Sequence, residues 1–320
     1  MRWSVSGTPQ TDDPLWPRAG HWIQPATPGE SPDGDLAIVG VPAYRSSITP
    51  TSAHTTPAAI RAALARYSTF AGSRGIDVST IRAIDLGDVE DPDGPQGEDR
   101  VRAAVERVRQ TCKLLIALGG DNSITYPVMR ALASERLEDW GLITVDAHHD
   151  LRDGETNGSP VRRLIEAGLP GAHVVQIGIA DFSNSPAYAQ RARELGITVV
   201  HRGELRQTPL SEVVSYALRI AGPGGRQVYV DLDADVCDLS AVPGCPSAAP
   251  GGISADALRE IAFLVARDER VRGMDITEID ATIDAADGRT VRLAALLILE
   301  AAAGLGERRV VESGQTPPRR

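Results

Sequence analysis

Leu142-Ile143-Thr144-Val145-Asp146-Ala147-His148-His149-Asp150 runs from four apolar or β-branched residues straight into acids and imidazoles. An unbroken run of this kind reads as a strand buried on both faces, the habit of parallel sheets covered by helices. Seven other runs have the same character: Leu36 to Val41, Ile81 to Leu86, Leu114 to Leu118, Val174 to Ile177, Thr198 to His201, Gln227 to Leu232 and Val271 to Ile276. Helical patterns fall between them, over Pro57 to Tyr67, Asp99 to Gln110, Tyr126 to Ser134, Ser159 to Ala167, Ala187 to Leu195, Leu210 to Ala221 and Ala255 to Ala266. The alternation predicts an α/β fold on a mostly parallel sheet. In open sheets of this kind, ligands bind outside the carboxyl ends of the strands.

Composition fits such a domain and excludes several others. The 320 residues are 42% hydrophobic and 24% charged, ordinary values for a globular protein and too apolar for a disordered chain. Aromatics are only 4%, so the core rests on Ala, Val, Ile and Leu. No apolar run approaches the roughly 18 residues that a membrane helix needs. The first residues also lack the layout of a signal peptide, so a cytoplasmic chain without membrane contact is expected. A net charge of −10 disfavours nucleic-acid partners. Three cysteines, Cys112, Cys237 and Cys245, are too few for a disulfide framework and lack zinc-type spacing. Residues 1–34, rich in Pro, Gly, Ser and Thr, read as an irregular arm that either packs by Trp3, Trp16 and Trp22 or is partly mobile. Residues 35–305 read as a single α/β domain and 306–320 as a flexible tail.

The chemistry gathers at the strand ends. Val228-Tyr229-Val230 leads into Asp231-Leu232-Asp233-Ala234-Asp235, and Lys113 to Leu118 into Gly119-Gly120-Asp121-Asn122-Ser123. Val271 to Met274 leads into Asp275-Ile276-Thr277-Glu278. Four strands thus bring carboxylates to one edge, where unpaired they could not all stay ionised. A pair of divalent cations would keep them charged, and carboxylates with one or two imidazoles suit Mn²⁺ and similar ions. Side chains two apart in an extended segment point the same way, so Asp146, His148 and Asp150 share a face, as do Asp231 and Asp233. By the same alternation His149 points away. Aspartates can bridge two cations about 3.5 to 4 Å apart, and a water between them is acidified enough to serve hydrolysis at neutral pH.

Together, GGDNS (119–123), DAHHD (146–150), DLD (231–233) and DITE (275–278) resemble the four blocks of the ureohydrolase family, which includes arginase, agmatinase and formimidoylglutamase. Similarities at Ile38 to Pro42, Pro57 to Arg61, Asp85 to Val89 and Gln176 to Gly178 extend the match over nearly the whole chain. The resemblance implies a three-layer α/β/α sandwich around a mostly parallel eight-stranded sheet. It also implies two Mn²⁺ per subunit and a homo-oligomer, usually a trimer or hexamer. Carried over block by block, it makes Asp146 and Asp231 bridging ligands, with His148 and Asp233 completing one ion and Asp150 the other. Asp150 doubles as a candidate proton relay. Glu278 would face the cationic amidine or guanidine of the substrate, since a planar delocalised cation prefers a bidentate carboxylate.

Two positions depart from the pattern. Asn122 stands where GGDHS has a metal-binding histidine, either as a weaker ligand or as an amide that orients an acid or a water. Asn157 stands where arginases and agmatinases have a second histidine. Formimidoylglutamases are similar at Asn157 to Pro160 and share Asp150-Leu151-Arg152, so the resemblance leans to that branch. Arg152 is the candidate clamp for a substrate carboxylate, with Arg45 and Arg162 competing for the role, and Asn157 is a further candidate substrate contact. The expected activity is hydrolysis of a linear amidine C–N bond, taking N-formimidoyl-L-glutamate to L-glutamate and formamide. The alternatives are a urea-releasing guanidino hydrolase and a catalytically retired relative with a structural metal.

Overall fold

Every apolar run singled out above forms a strand, and all of them join one parallel sheet. The computed structural model describes residues 13–27, 32–134 and 136–312. Trp3 and residues 313–320 of the expected tail lie outside that range. The chain begins with β1 (Gln24–Pro25), β2 (Leu36–Val41), α1 (Thr56–Leu64) and a small hairpin, β3 (Phe70–Ala71) with β4 (Ile76–Asp77). It continues through β5 (Ala83–Asp88), α2 (Gly94–Glu106), β6 (Leu114–Gly119), α3 (Thr125–Ala133), β7 (Trp140–Val145) and α4 (Pro160–Glu166). Then come β8 (Val174–Ile179), α5 (Pro186–Glu194), β9 (Thr198–His201), α6 (Leu210–Ala221) and β10 (Gln227–Asp233). The last elements are α7 (Ala255–Ala266), β11 (Val271–Thr277) and α8 (Arg289–Glu312).

The sheet order is β1-β5-β2-β6-β11-β10-β7-β8-β9, nine strands rather than the eight expected. The ninth comes from the N-terminal arm. There Trp22 donates its indole N–H to the Ile81 carbonyl at 2.8 Å, and Gln24 and Pro25 pair with Ile84 and Asp85. Two residues, one of them proline, leave no strand signature in sequence. Alternate residues of each strand feed different cores. Leu114, Ile116 and Leu118 pack with α1, α6, α7 and α8, whereas Leu115 and Ala117 pack with α2 to α5, giving the three layers.

Helix α8 has no counterpart among the expected helices, and it runs through residue 306, where the tail was drawn. Gly304 and Gly306 look like a stop, yet Gly304 is there for close packing. A Cβ at that position would lie 2.5 Å from the Phe263 carbonyl oxygen of α7. Buried Arg308 continues the helix's attachment, donating to the carbonyls of Ala266 and Val271. The order of the sheet has one further consequence. β6, β11, β10 and β7, whose carboxyl ends carry the four motifs, are consecutive neighbours at its centre.

Candidate metal centre

Parallel pairing sets the height of each acid at the sheet edge. Leu232 on β10 is level with Val145 on β7, and Asp233 with Thr277 on β11. Asp233 therefore ends its strand at the level of Asp146, while Asp231 lies one pleat lower, between Thr144 and Asp275. The Asp233 carboxylate caps the short turn Ala234–Val236 by accepting from the Asp235 N–H at 2.8 Å. This turn carries the Asp235 carboxylate over to β7. There it accepts from the Ala147 N–H at 3.1 Å and lies 2.7 Å from His148 Nδ1. Asp146 Oδ1 accepts from the His148 N–H at 2.6 Å and lies 3.6 Å from the same ring nitrogen.

Two groups of converging donors result, with atoms within 4.8 Å of one another: Asp146, His148 and Asp235, and Asp146, Asp150 and Asp231. Asp146 belongs to both. Asp146 Oδ2 and Asp231 Oδ2 are buried and have no hydrogen-bond partner among the described residues. Orphaned oxygens converging from several buried acids are what a divalent cation satisfies, so the donor set fits one. Asp235, which sequence reading passed over as the third acid of an alternating run, is thus a central member. Asp231 comes near Asp146 and Asp150 from beneath but does not reach the cleft above them, whereas Asp233 and Asp235 do. The Asp231 carboxyl faces that of Asp275, which also accepts from the Tyr229 hydroxyl at 2.9 Å.

The electrostatics match this crowding. Burial, followed by the charge of Asp235, pushes Asp146 up to about 6. Burial and then neighbouring acids raise Asp150, Asp231 and Asp233 well above the carboxylate range. Asp235 goes the other way, to about 2, because His148 outweighs the effect of burial. Burial opposes a charge on His148, but Asp235 and Asp146 outweigh it and push the imidazole up to about 12. One imidazolium cannot balance so many acids, and added cationic charge would restore their ordinary ionisation.

A cleft of about 450 Å³ opens above the acids, with Asp150, Arg152, Asn157, Asp233, Asp235 and Glu278 in its wall. Asp150 and Glu278 both adopt left-handed backbone conformations, φ 54° and 61°, which are uncommon for non-glycine residues and concentrate at functional sites. Asn122 holds both acids in place. Its N–H donates to Glu278 Oε1 at 2.8 Å and its Nδ2 to Asp150 Oδ2 at 2.5 Å. Its Oδ1 already accepts from the hydroxyls of Thr125 and Thr277, at 2.9 and 3.1 Å, so it is not turned toward the cation groups. Of the two roles open to Asn122 in sequence, the geometry is that of the orienting amide rather than the ligand.

Glu278 is buried, and burial followed by the charge of Asp121 raises it to about 8. Its Oε1 also accepts from Asn157 Nδ2 at 2.8 Å, while Oε2 accepts from no described residue. Arg152 is exposed in the cleft wall, and its guanidinium makes no ion pair or hydrogen bond among the described residues. Its two competitors are committed elsewhere. Arg45 pairs with Asp91 at 3.1 Å, and Arg162 is bound by Glu166 and the carbonyls of Arg152 and Gly154. His149 turns to Gln176 on β8, with Nδ1 2.6 Å from the amide oxygen.

Acids and an imidazole gathered at the carboxyl edge of a central parallel sheet, under a cleft holding a buried glutamate, define a metal-dependent hydrolase of the α/β/α class. Residues 34–304 match the arginase-family model, and the chain belongs to the arginase family. It is similar to the formimidoylglutamase of Halalkalibacterium halodurans, with 37% identity over 85% of this chain and 87% of that one. Among solved structures, the formimidoylglutamase of Bacillus subtilis superposes with a TM-score of 0.86 at 31% identity, covering 96% of each chain. A Trypanosoma cruzi formiminoglutamase with Mn²⁺ shares the fold, with a TM-score of 0.83 at 24% identity over 92% of this chain and 99% of that one. No helix among the described residues is long and apolar enough to cross a membrane.

Proposed function

We propose that this arginase-family hydrolase cleaves N-formimidoyl-L-glutamate to L-glutamate and formamide. The observation that carries the reading is the presence, within one cleft, of a buried acid with a free oxygen and a guanidinium, neither of which has a partner among the described residues. Glu278 Oε2 would receive the amidinium and Arg152 a substrate carboxylate. Agmatine has no carboxylate to offer Arg152, which favours the amidino acid over that guanidino alternative. The same reading includes a homo-oligomer, a trimer or hexamer, acting in the cytoplasm in histidine catabolism.

The metal part of the proposal is two Mn²⁺ per subunit, in a ligand set one step along β10 from the one read in sequence. Asp146 is the shared acid, with Asp233 beside it at the same height. His148 and Asp235 complete one position and Asp150 the other. Asp231 supports them from below and Asn122 orients Asp150. When bound, such ions supply Lewis acidity and an acidified water. Everything else falls to the protein. Glu278 fixes the amidinium plane, Arg152 fixes the tail, and Asp150, held at Oδ2 by Asn122, is placed to relay a proton to the departing amine.

Elemental analysis after Mn²⁺ loading and removal of loose ions tests the metal reading. Two equivalents are expected for the natural chain and for Asp231→Asn, and one or fewer for Asp235→Asn. A full complement in Asp235→Asn, or none in the natural chain, overturns it. Release of formamide from formimidoylglutamate by the loaded protein, with no urea from agmatine, tests the activity.

A further inference from the structure

Asn157 lies in the loop between β7 and α4, and both ends of its side-chain amide are spoken for by opposite chemistry. Nδ2 donates to Glu278 Oε1 at 2.8 Å, and Oδ1 accepts from the Ile48 N–H at 3.1 Å. The orientation is forced, because only an NH₂ can face the carboxylate and only an oxygen can face the N–H. Ile48 belongs to the segment following β2 that forms one lip of the cleft. That lip is anchored on both sides of Ile48. Ser47 donates its hydroxyl to Asp121 at 2.6 Å, and Thr51 and the Ser52 N–H donate to Asp280 at 3.1 and 2.6 Å. Asn157 ties the lip across to Glu278's support twice, through its side chain to Ile48 and through its own N–H, which donates to the Ser46 carbonyl at 3.3 Å.

We propose that Asn157 is a positioning residue that fixes Glu278 and the cleft's lip relative to each other and does not itself bind substrate. Together with the Asn122 N–H it occupies Oε1, which leaves Oε2 for the amidinium and sets the carboxylate plane. By holding Ile48 it sets how far the lip stands from that carboxylate, and so what size of amidine fits between them. The inference rests on the reading of Glu278 as the amidinium acceptor. Alanine loses both contacts and aspartate loses the one to Glu278, so the pairing calls for a side chain with both a donor and an acceptor.

A double-mutant cycle separates this from direct substrate contact. With Mn²⁺-loaded protein, Asn157→Ala should lower kcat/KM on formimidoylglutamate about ten- to a hundredfold, the size of one lost hydrogen bond to a charged group. In a Glu278→Ala background, the same change should cost less than about threefold, because the group it positions is gone. Equal losses in both backgrounds, or no loss in the first, overturn the proposal. If Glu278→Ala alone leaves kcat/KM unchanged, it is the reading of Glu278 that has failed. The lip provides a second readout, tryptic cleavage after exposed Arg45 followed by mass spectrometry. Asn157→Ala should be cut several-fold faster than the natural chain. Asn157→Asp, which keeps the acceptor for Ile48 but sets a like charge against Glu278, should be cut at the natural rate while losing at least as much activity. Faster cutting of Asn157→Asp, or unchanged cutting of Asn157→Ala, overturns the coupling.

Discussion

Replacing Arg152 with alanine probes the substrate end of the cleft with little disturbance of the fold. The side chain is exposed and unpaired among the described residues, and its two backbone ties, the N–H to the Gly158 carbonyl at 2.9 Å and the carbonyl that accepts from Arg162 Nε at 2.6 Å, survive the change. Arg152 lies directly over Gly158, where a Cβ would meet its Cδ at 2.8 Å, so the glycine is what allows this placement. A guanidinium–carboxylate contact contributes about 1.5 to 3 kcal/mol, and solvent at this exposed site moves the figure toward the lower end. At about 1.4 kcal/mol per decade, the loss in kcat/KM is about ten- to thirtyfold. A contact made equally in the ground and transition states appears in KM, with kcat nearly unchanged. The assay follows formamide release from formimidoylglutamate and, in parallel, from an N-alkylformamidine without carboxylates. Arg152→Ala should raise KM for the first substrate and leave the second as it was. An unchanged KM for formimidoylglutamate, or equal losses on both substrates, would refute the reasoning.

Three other expectations reach the rest of the molecule. Gly304→Val forces a side chain against the Phe263 carbonyl and should cost about 1 to 3 kcal/mol in urea unfolding, with metal content unchanged. Asp268, between α7 and β11, accepts from Arg270 Nε at 2.8 Å and NH2 at 2.7 Å. Burial would raise its pKa, but Arg270 outweighs burial and lowers it. Because the folded value is depressed, its contribution is full above the ordinary carboxylate pKa and is lost as pH falls through the folded one. Asp268→Asn should therefore be less stable by about 1 to 2 kcal/mol at pH 7 and indistinguishable in strong acid, by denaturant titration. Finally, Mn²⁺ at about a hundred times its Kd should add about 2.7 kcal/mol of stability for each ion bound, and chelation should return the melting temperature to the metal-free value. No shift on chelation would count against cation binding by the buried acids.

The sheet was legible because its strands are buried on both faces and so appear as unbroken apolar runs. The elements that escaped notice lack a local signature. β1 is two residues held by an indole hydrogen bond, and the first turn of α2, otherwise expected from Asp99 onward, lies in Gly94-Pro95-Gln96-Gly97, which reads as a turn. Helix α8 carries alanines and two glycines through its middle, and only contact with α7 explains the glycine at 304. At the site, the residue types and their edge were readable, and so was the alternation that places His149 away from the acids. What sequence could not resolve was height. In Asp231-Leu232-Asp233-Ala234-Asp235, a slip of two residues keeps every acid on the same face, so the alternation gives no means of choosing between the pairs 231/233 and 233/235. Pairing with Val145 and Thr277 breaks that degeneracy, because it fixes which aspartate ends level with Asp146.

The charges then account for each acid in turn. With the cations of the proposed centre bound, Asp146, Asp150, Asp233 and Asp235, all ionised, would balance two divalent charges, with His148 neutral. Asp231 and Asp275 face each other one pleat lower, and burial raises both carboxyls. Glu278 lies buried near Asp121, which faces no cation among the described residues, and is raised to about 8 until a cation arrives beside it. An amidinium is such a cation, and its binding would pull the Glu278 pKa back toward the ordinary carboxylate range. On this account the substrate completes the electrostatics of the cleft. A neutral amide of the same shape would leave Glu278 either protonated or alone in a buried site, which is the physical basis for discrimination in favour of amidines.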